Sequence, residues 1–262
     1  MDQAEKEPMF AEERKRKILE LLEQNEKISV QELCEYFGVS SSTIRNDLRE
    51  MDSEKLLERT HGGAILPSKK SFELTSTQKE VKNLDEKKAI AQIAADMIED
   101  GDTILLDTGT TTLELARNLK NKRDITVVVN DIEIARCLED FDGVSIILLG
   151  GIMRKKFHCA VGPIAINALS TLSVDKAFMA TNGVSFKKGL STPEINQAEV
   201  KKMMISISSE VILLCDSSKI GKDSFVKFAS ISEINKIVTD SNLSKYDAVE
   251  FEENKIEVII AK

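Results

Sequence analysis

Residues 103–119, TILLDTGTTTLELARNL, pass from an apolar run through Asp107-Thr108-Gly109-Thr110-Thr111-Thr112 into helical spacing. Gly109 allows a tight turn and close backbone approach. Thr110, Thr111 and Thr112 would then fill the first helical turn. Backbone N–H groups there have no partner inside the helix, and the hydroxyls add donors, so the position favours an anion. The same threonines could equally cap the helix and nothing more. The loop is not a nucleotide-binding P-loop, since no Gly-Lys-Ser/Thr follows. Lys219, in DSSKIG, stands just after another apolar run. It would either complete a phosphate site as a point charge or lie on the surface as lysines commonly do.

Residues for metal or thiol chemistry are scarce. The two histidines, His61 and His158, are isolated, and Cys34, Cys137, Cys159 and Cys215 form no C-x-x-C pair. We expect no metal, no cofactor and no disulfide framework, and a reducing compartment.

A second polar constellation lies near the N-terminus. In VSSSTIRNDLREMDSEKLL, Ile44, Leu48 and Met51 fall on one helical face, while Ser42, Thr43, Arg45, Asn46 and Arg49 fall on the other. Such donors contact phosphates and base edges in a major groove. The elements around them fit that use. Ile18, Leu19, Leu21 and Leu22 mark an amphipathic helix, and Ser29-x-x-Glu32 opens a second helix with the form of a capping box. Gly38 suits its stop, and the short turn to the next helix is that of a helix-turn-helix. LLERT and AILP, joined by His61-Gly62-Gly63, read as a hairpin wing on which Arg59 and His61 would flank the groove; the basic run Arg14–Lys17 could do the same.

The charge balance constrains this reading. The 262 residues carry a formal net charge of −8, which argues against a protein that binds polyanions over its whole surface. Residues 14–66 hold nine Lys/Arg against ten Asp/Glu, or 9 − 10 = −1. Affinity for DNA would rest on charge gathered on one face, and on a dimer or higher homo-oligomer reading repeated half-sites. No apolar run approaches the ~20 residues that span a bilayer. The polar N-terminus does not read as a signal peptide, so no membrane partner and a cytoplasmic location are expected.

From residue 85 the pattern alternates. KKAIAQIAADMIEDG is helical, DTILLD a strand, TTTLELARNL a helix, ITVVVN a strand, DIEIARCLED a helix and VSIILLGG a strand. IAINALSTL, KAFMATN, PEINQAEVKKMMISIS and EVILLCD continue the alternation, and INKIVTD and KIEVIIA add two short strands. This predicts an α/β domain with a mostly parallel sheet. Asp107, Asn130, Gly150-Gly151, Asn182-Gly183 and Asp216 gather at the carboxyl ends of its strands, where open α/β sheets bind ligands. The chain divides into a winged helix-turn-helix at 12–67, a linker at 68–84 and a larger α/β domain at 85–262.

RKRKILELLEQNEKISVQELCEYFGVSSSTIRNDLREMDSEKLLERTHGGAIL resembles the winged helix-turn-helix of the DeoR family of bacterial transcription regulators. The S-x-x-T-I-R-x-D-L helix and the R-x-H-G-G-A wing match in order. The resemblance implies a helix-turn-helix over 28–47 and a recognition face at Thr43–Arg49. The family often has Arg-Arg after T-I, whereas this chain has Arg45-Asn46. Residues 85–240 resemble the family's effector domain, whose fold is related to ribose-5-phosphate isomerase and the CoA transferases. VNDIEIA, LLGG, VGP, DKAF, AEVKKMM and DSSKIG follow one another as in that domain. By that similarity Thr110 and Thr111 take phosphate-binding hydroxyl positions, and Lys87 and Lys219 take the positions of phosphate-contacting lysines. The isomerase carries an acidic cluster where this chain has TNGVS. Asn182 and Ser185 are no general bases, so a catalytic role is not expected. The resemblance therefore implies a regulator, most often a repressor, that binds operator double-stranded DNA and senses a phosphorylated sugar. Asn130, Arg154, Asn182 and Glu194 are candidates for its hydroxyls.

Overall fold

The computed structural model describes residues 9–25, 27–54, 56–65 and 73–262. The expected boundary at 67–68 and the first residues of the expected linker lie outside them. The chain forms two compact units, one ending at Leu74 and the other starting at Thr75.

In the first unit α1 (Ala11–Asn25) leads to β1 (Lys27–Ser29), α2 (Val30–Phe37) and α3 (Ser41–Ser53). β2 (Glu58–Arg59) and β3 (Gly63–Ile65) complete it. Ser29 and Glu32 form the reciprocal capping box that opens α2, and Gly38, at φ 67°, closes it in the left-handed region. Ile18, Leu22, Leu33, Ile44, Leu48 and Met51 meet in one small core. The wing has one more strand than the sequence suggested, because β1 pairs antiparallel with β3 and gives the order β1-β3-β2. The approach is close: a Cβ on Gly63 would lie 2.0 Å from the Ile28 carbonyl oxygen.

The second unit opens with α4 (Ser76–Glu80) and α5 (Leu84–Asp96), so residues 76–80 of the expected linker are helix. There follow β4 (Thr103–Leu106), α6 (Thr110–Arg117), β5 (Ile125–Val129), α7 (Ile132–Leu138) and β6 (Val144–Leu148). A hairpin, β7 (Ile152–Arg154) and β8 (Cys159–Val161), precedes α8 (Pro163–Leu169) and β9 (Val174–Met179). β10 (Gly183–Ser185), β11 (Gly189–Thr192), α9 (Ile195–Ser206), β12 (Ser208–Leu214) and β13 (Val226–Ala229) come next. β14 (Lys236–Asp240), α10 (Lys245–Glu253) and β15 (Glu257–Ala261) end the chain.

Seven strands form one parallel sheet in the order β15-β14-β12-β9-β4-β5-β6. Side chains alternate across it. Ile104, Leu106, Val127, Val129, Ile212 and Leu214 face α5, α6 and α7. Leu105, Val128, Ala177, Met179 and Leu213 face α8, α9 and α10. Burial on both faces is why these strands read as continuous apolar runs. β10, β11 and β13 form a separate antiparallel sheet. Their sequences are short and mixed in polarity, and Val184, Leu190 and Phe228 bury their side chains in the core that α9 shares. Among the described residues no helix is long and apolar enough to cross a membrane, and no group of His, Cys, Asp or Glu could hold a metal ion.

Candidate DNA-reading face and effector site

α3 begins at Ser40, whose hydroxyl accepts the Thr43 N–H and also bonds the Ser42 and Thr43 hydroxyls. Ile44, Leu48 and Met51 point into the core, so Ser42, Arg45, Asn46 and Arg49 are exposed and Thr43 is half-exposed. Asn46 donates to Glu50 at 2.8 Å and accepts from Arg49 at 3.2 Å, an open chain of exchangeable surface bonds. On the wing Arg59 and His61 are exposed. The basic run in α1 behaves differently from expectation. Arg14 is buried and grips Asp47 of α3 with two bonds, at 2.6 and 3.1 Å. Lys15 pairs with Glu12 and Glu50, and Lys17 with Glu20. Of the four, Arg16 alone is exposed. Arg14 therefore ties α1 to α3 and is not an exposed cation.

At the carboxyl end of the large sheet, Gly109 is the N-cap of α6 and supplies no side-chain cap. A Cβ there would lie 2.9 Å from the Ala180 Cβ, so the close approach requires glycine. The first hydrogen bond of the helix runs from Leu113 N–H to the Gly109 carbonyl, which leaves the N–H groups of Thr110, Thr111 and Thr112 without a partner among the described residues. Thr110 is half-buried and Thr111 mostly buried. Thr112 is fully buried, and its hydroxyl donates back to the Gly109 carbonyl at 2.8 Å, so it closes the loop.

Several expected ligand residues are engaged within the protein. Asp107 is buried, ion-paired with Lys201 of α9, and accepts the Ala180 N–H at 2.9 Å. Glu194 caps α9 by accepting the Asn196 and Gln197 N–H groups. The Asn182 amide oxygen accepts the Thr192 hydroxyl at 3.2 Å. Asn130 is fully buried and donates to the Ala160 carbonyl, while its amide oxygen has no partner among the described residues. Gly150 and Gly151 are exposed, and a Cβ on Gly151 would strike the Val161 carbonyl oxygen at 2.6 Å.

Positive charge gathers around Asp216, at the same end of the sheet. Lys87 of α5 is buried, and Lys219 stands in the turn after β12. Burial pulls the Lys87 ammonium down to about 8; Asp216 opposes this, and Lys219, Lys79 and Lys82 add to it. Burial pushes Asp216 up, but Lys219, Ser218, Asn83 and Lys87 outweigh it and hold the carboxyl below its usual range. One carboxylate thus faces a group of lysines at the carboxyl end of the sheet, the end at which the loop after β4 also lies.

Lys201 escaped the sequence reading. The signal for it was present: Gln197, Ala198, Lys201, Met204 and Ile205 are one buried stripe of α9, and a lysine inside such a stripe calls for a buried acid. Asp131 was also missed. It accepts the Thr108 hydroxyl at 2.5 Å, caps α7 with its other oxygen, and so ties the loop to the neighbouring strand end.

Comparison with known proteins places both units. Residues 14–70 match the DeoR-like helix-turn-helix domain, and residues 82–241 match the DeoR C-terminal sensor domain. The HTH-type transcriptional regulator GlpR of Haloferax volcanii is 38% identical over 251 residues, covering 96% of this chain and 98% of that protein. A lactose phosphotransferase system repressor of Staphylococcus epidermidis is 37% identical, over 89% of this chain and 94% of its own. A ribose 5-phosphate isomerase of Methanocaldococcus jannaschii superposes on 53% of this chain and 55% of its own, at 20% identity and a TM-score of 0.40, too distant to carry activity across. Matched in both units and along nearly its whole length, the chain belongs to the DeoR family of transcription regulators.

Proposed function

We propose that this regulator represses genes for the uptake or breakdown of a carbohydrate and leaves its operator when a phosphorylated sugar binds at the carboxyl end of the large sheet. It acts in the cytoplasm as a dimer or tetramer, with Ser42, Thr43, Arg45, Asn46 and Arg49 on DNA and Arg59 and His61 beside it. The phosphate lies against the N–H groups of Thr110–Thr112, with Lys87 and Lys219 as counter-charges. Asn130, Asn182 and Glu194 border the sugar end. The observation that carries this reading is the excess of lysine charge around Asp216, at the same end of the sheet as a helix N-terminus that has no side-chain cap of its own. The name of the Staphylococcus relative, a lactose phosphotransferase system repressor, points to the same kind of target. Release requires that the ligand prefer the form with low operator affinity, and the coupling must run equally in both directions.

A thermal-shift titration with pentose and hexose phosphates tests the site. A ligand at ~100 times its Kd adds about 2.7 kcal/mol to the stability of the second unit. No stabilisation by any of them would overturn the reading. Lys219→Ala should keep operator binding and blunt its release by the active sugar phosphate; unchanged release would remove Lys219 from the site.

A further inference from the structure

Residues 75–83 cross the carboxyl end of the large sheet and are fastened on both sides of it. On one side the Ser76 N–H donates to the Lys156 carbonyl at 3.0 Å, in the turn of the β7–β8 hairpin, and the Lys79 ammonium lies 5.7 Å from the Phe157 ring. In the middle α4 packs on α6, the helix that follows the threonine loop. On the other side Asn83, in the left-handed region at φ 50°, donates to Asp216 at 2.9 Å and to Ser218 at 3.4 Å. Underneath, Lys87 donates to the Lys79 and Lys82 carbonyl oxygens. No side chain of α4 is buried, so polar and cationic contacts hold the segment and apolar packing does not. Elements held in this way open at low cost.

We propose that residues 75–83 are a lid on the effector site, latched by Lys87 and Asn83, and that an anion at the N-terminus of α6 shifts the latch by drawing the Lys87 ammonium toward itself. This rests on the effector site described above. The lid is the first element after Leu74, where the first unit ends. The Lys87 ammonium has three N–H donors and places two of them on carbonyl oxygens of the lid; an anion that takes the third pulls on the same group, and this shared ammonium is the physical link between occupancy and lid.

Hydrogen exchange on the full chain tests it, with inorganic phosphate and a panel of hexose and pentose phosphates as probes. We expect protection of amides 110–113 together with a change of roughly fivefold or more in exchange at 76–83. Asn83→Gly keeps the left-handed backbone and removes both side-chain bonds. It should speed exchange at 76–83 in the absence of any probe. Protection at 110–113 with no change at 76–83 would overturn the lid and leave the effector site standing. No protection at 110–113 by any probe would overturn the site, and the lid with it. Wild-type exchange at 76–83 in Asn83→Gly would remove Asn83 as a latch and overturn the proposal in this form.

Discussion

The reading helix and the threonine loop are built on the same plan and expose different things. Behind each lies a buried cation–carboxylate pair: Arg14–Asp47 behind α3, Lys201–Asp107 behind the loop that opens α6. On α3 the groups offered to a partner are side chains, four of them exposed on a regular helix. At the loop they are backbone N–H groups, and the nearby acids, hydroxyls and the buried Lys87 are already bonded to the protein. A surface that reads sequence needs varied side chains. A pocket that holds a phosphate needs fixed dipoles and charge, and its polar side chains serve mostly to fix them.

The buried pairs offer the strongest way to break that parallel. Lys201→Met strands the Asp107 carboxylate and should cost about 3–5 kcal/mol of the second unit's stability by calorimetry. A loss below 1 kcal/mol would mean that Asp107 is free to act on a ligand after all. Next in size is Arg45→Ala, which should weaken operator binding by about 1–3 kcal/mol and leave thermal stability almost unchanged. Unaltered operator affinity would mean that the exposed face of α3 is not the reading face.

Proton linkage separates the two surfaces further. A bound phosphate favours charged Lys87, whose ammonium titrates at about 8 in the folded protein. The ligand's own second ionisation, near 6, is complete by pH 7. Sugar-phosphate affinity should therefore fall by roughly tenfold between pH 7 and pH 9, as Lys87 loses its proton, while Lys87→Met should flatten the profile. A flat wild-type profile would take Lys87 out of the phosphate contact. In the absence of ligand the sign is opposite: the unfolded chain binds the extra proton between about 8 and 10.5, so this lysine makes stability rise with pH in that window. The smallest effect concerns the cap. Ser40→Ala removes the side-chain acceptor at the start of α3 and should cost about 1 kcal/mol in the first unit, with no effect on ligand binding.

The sequence by itself determined helices α1–α3 and α5–α9 and the seven strands of the large sheet; α4, α10 and the β7–β8 hairpin were not read from it. Periodicity and caps are local, and a strand buried on both faces must be apolar throughout. It also determined the exposed face of α3, because exposure follows directly from the 3.6-residue period once Ile44, Leu48 and Met51 are placed inside. Tertiary structure alone decided which polar residues were spoken for. Arg14 looked like a groove contact and turned out to be the partner of Asp47, 33 residues away. Asp107 looked like a ligand group and is held by Lys201, 94 residues on. β1 joined the wing, and β10, β11 and β13 became a sheet, only because distant strands came alongside. A carboxylate beside a strand end has the same local sequence whether it awaits a ligand or a lysine. Which of the two it meets depends on long-range packing, and local spacing carries no record of that.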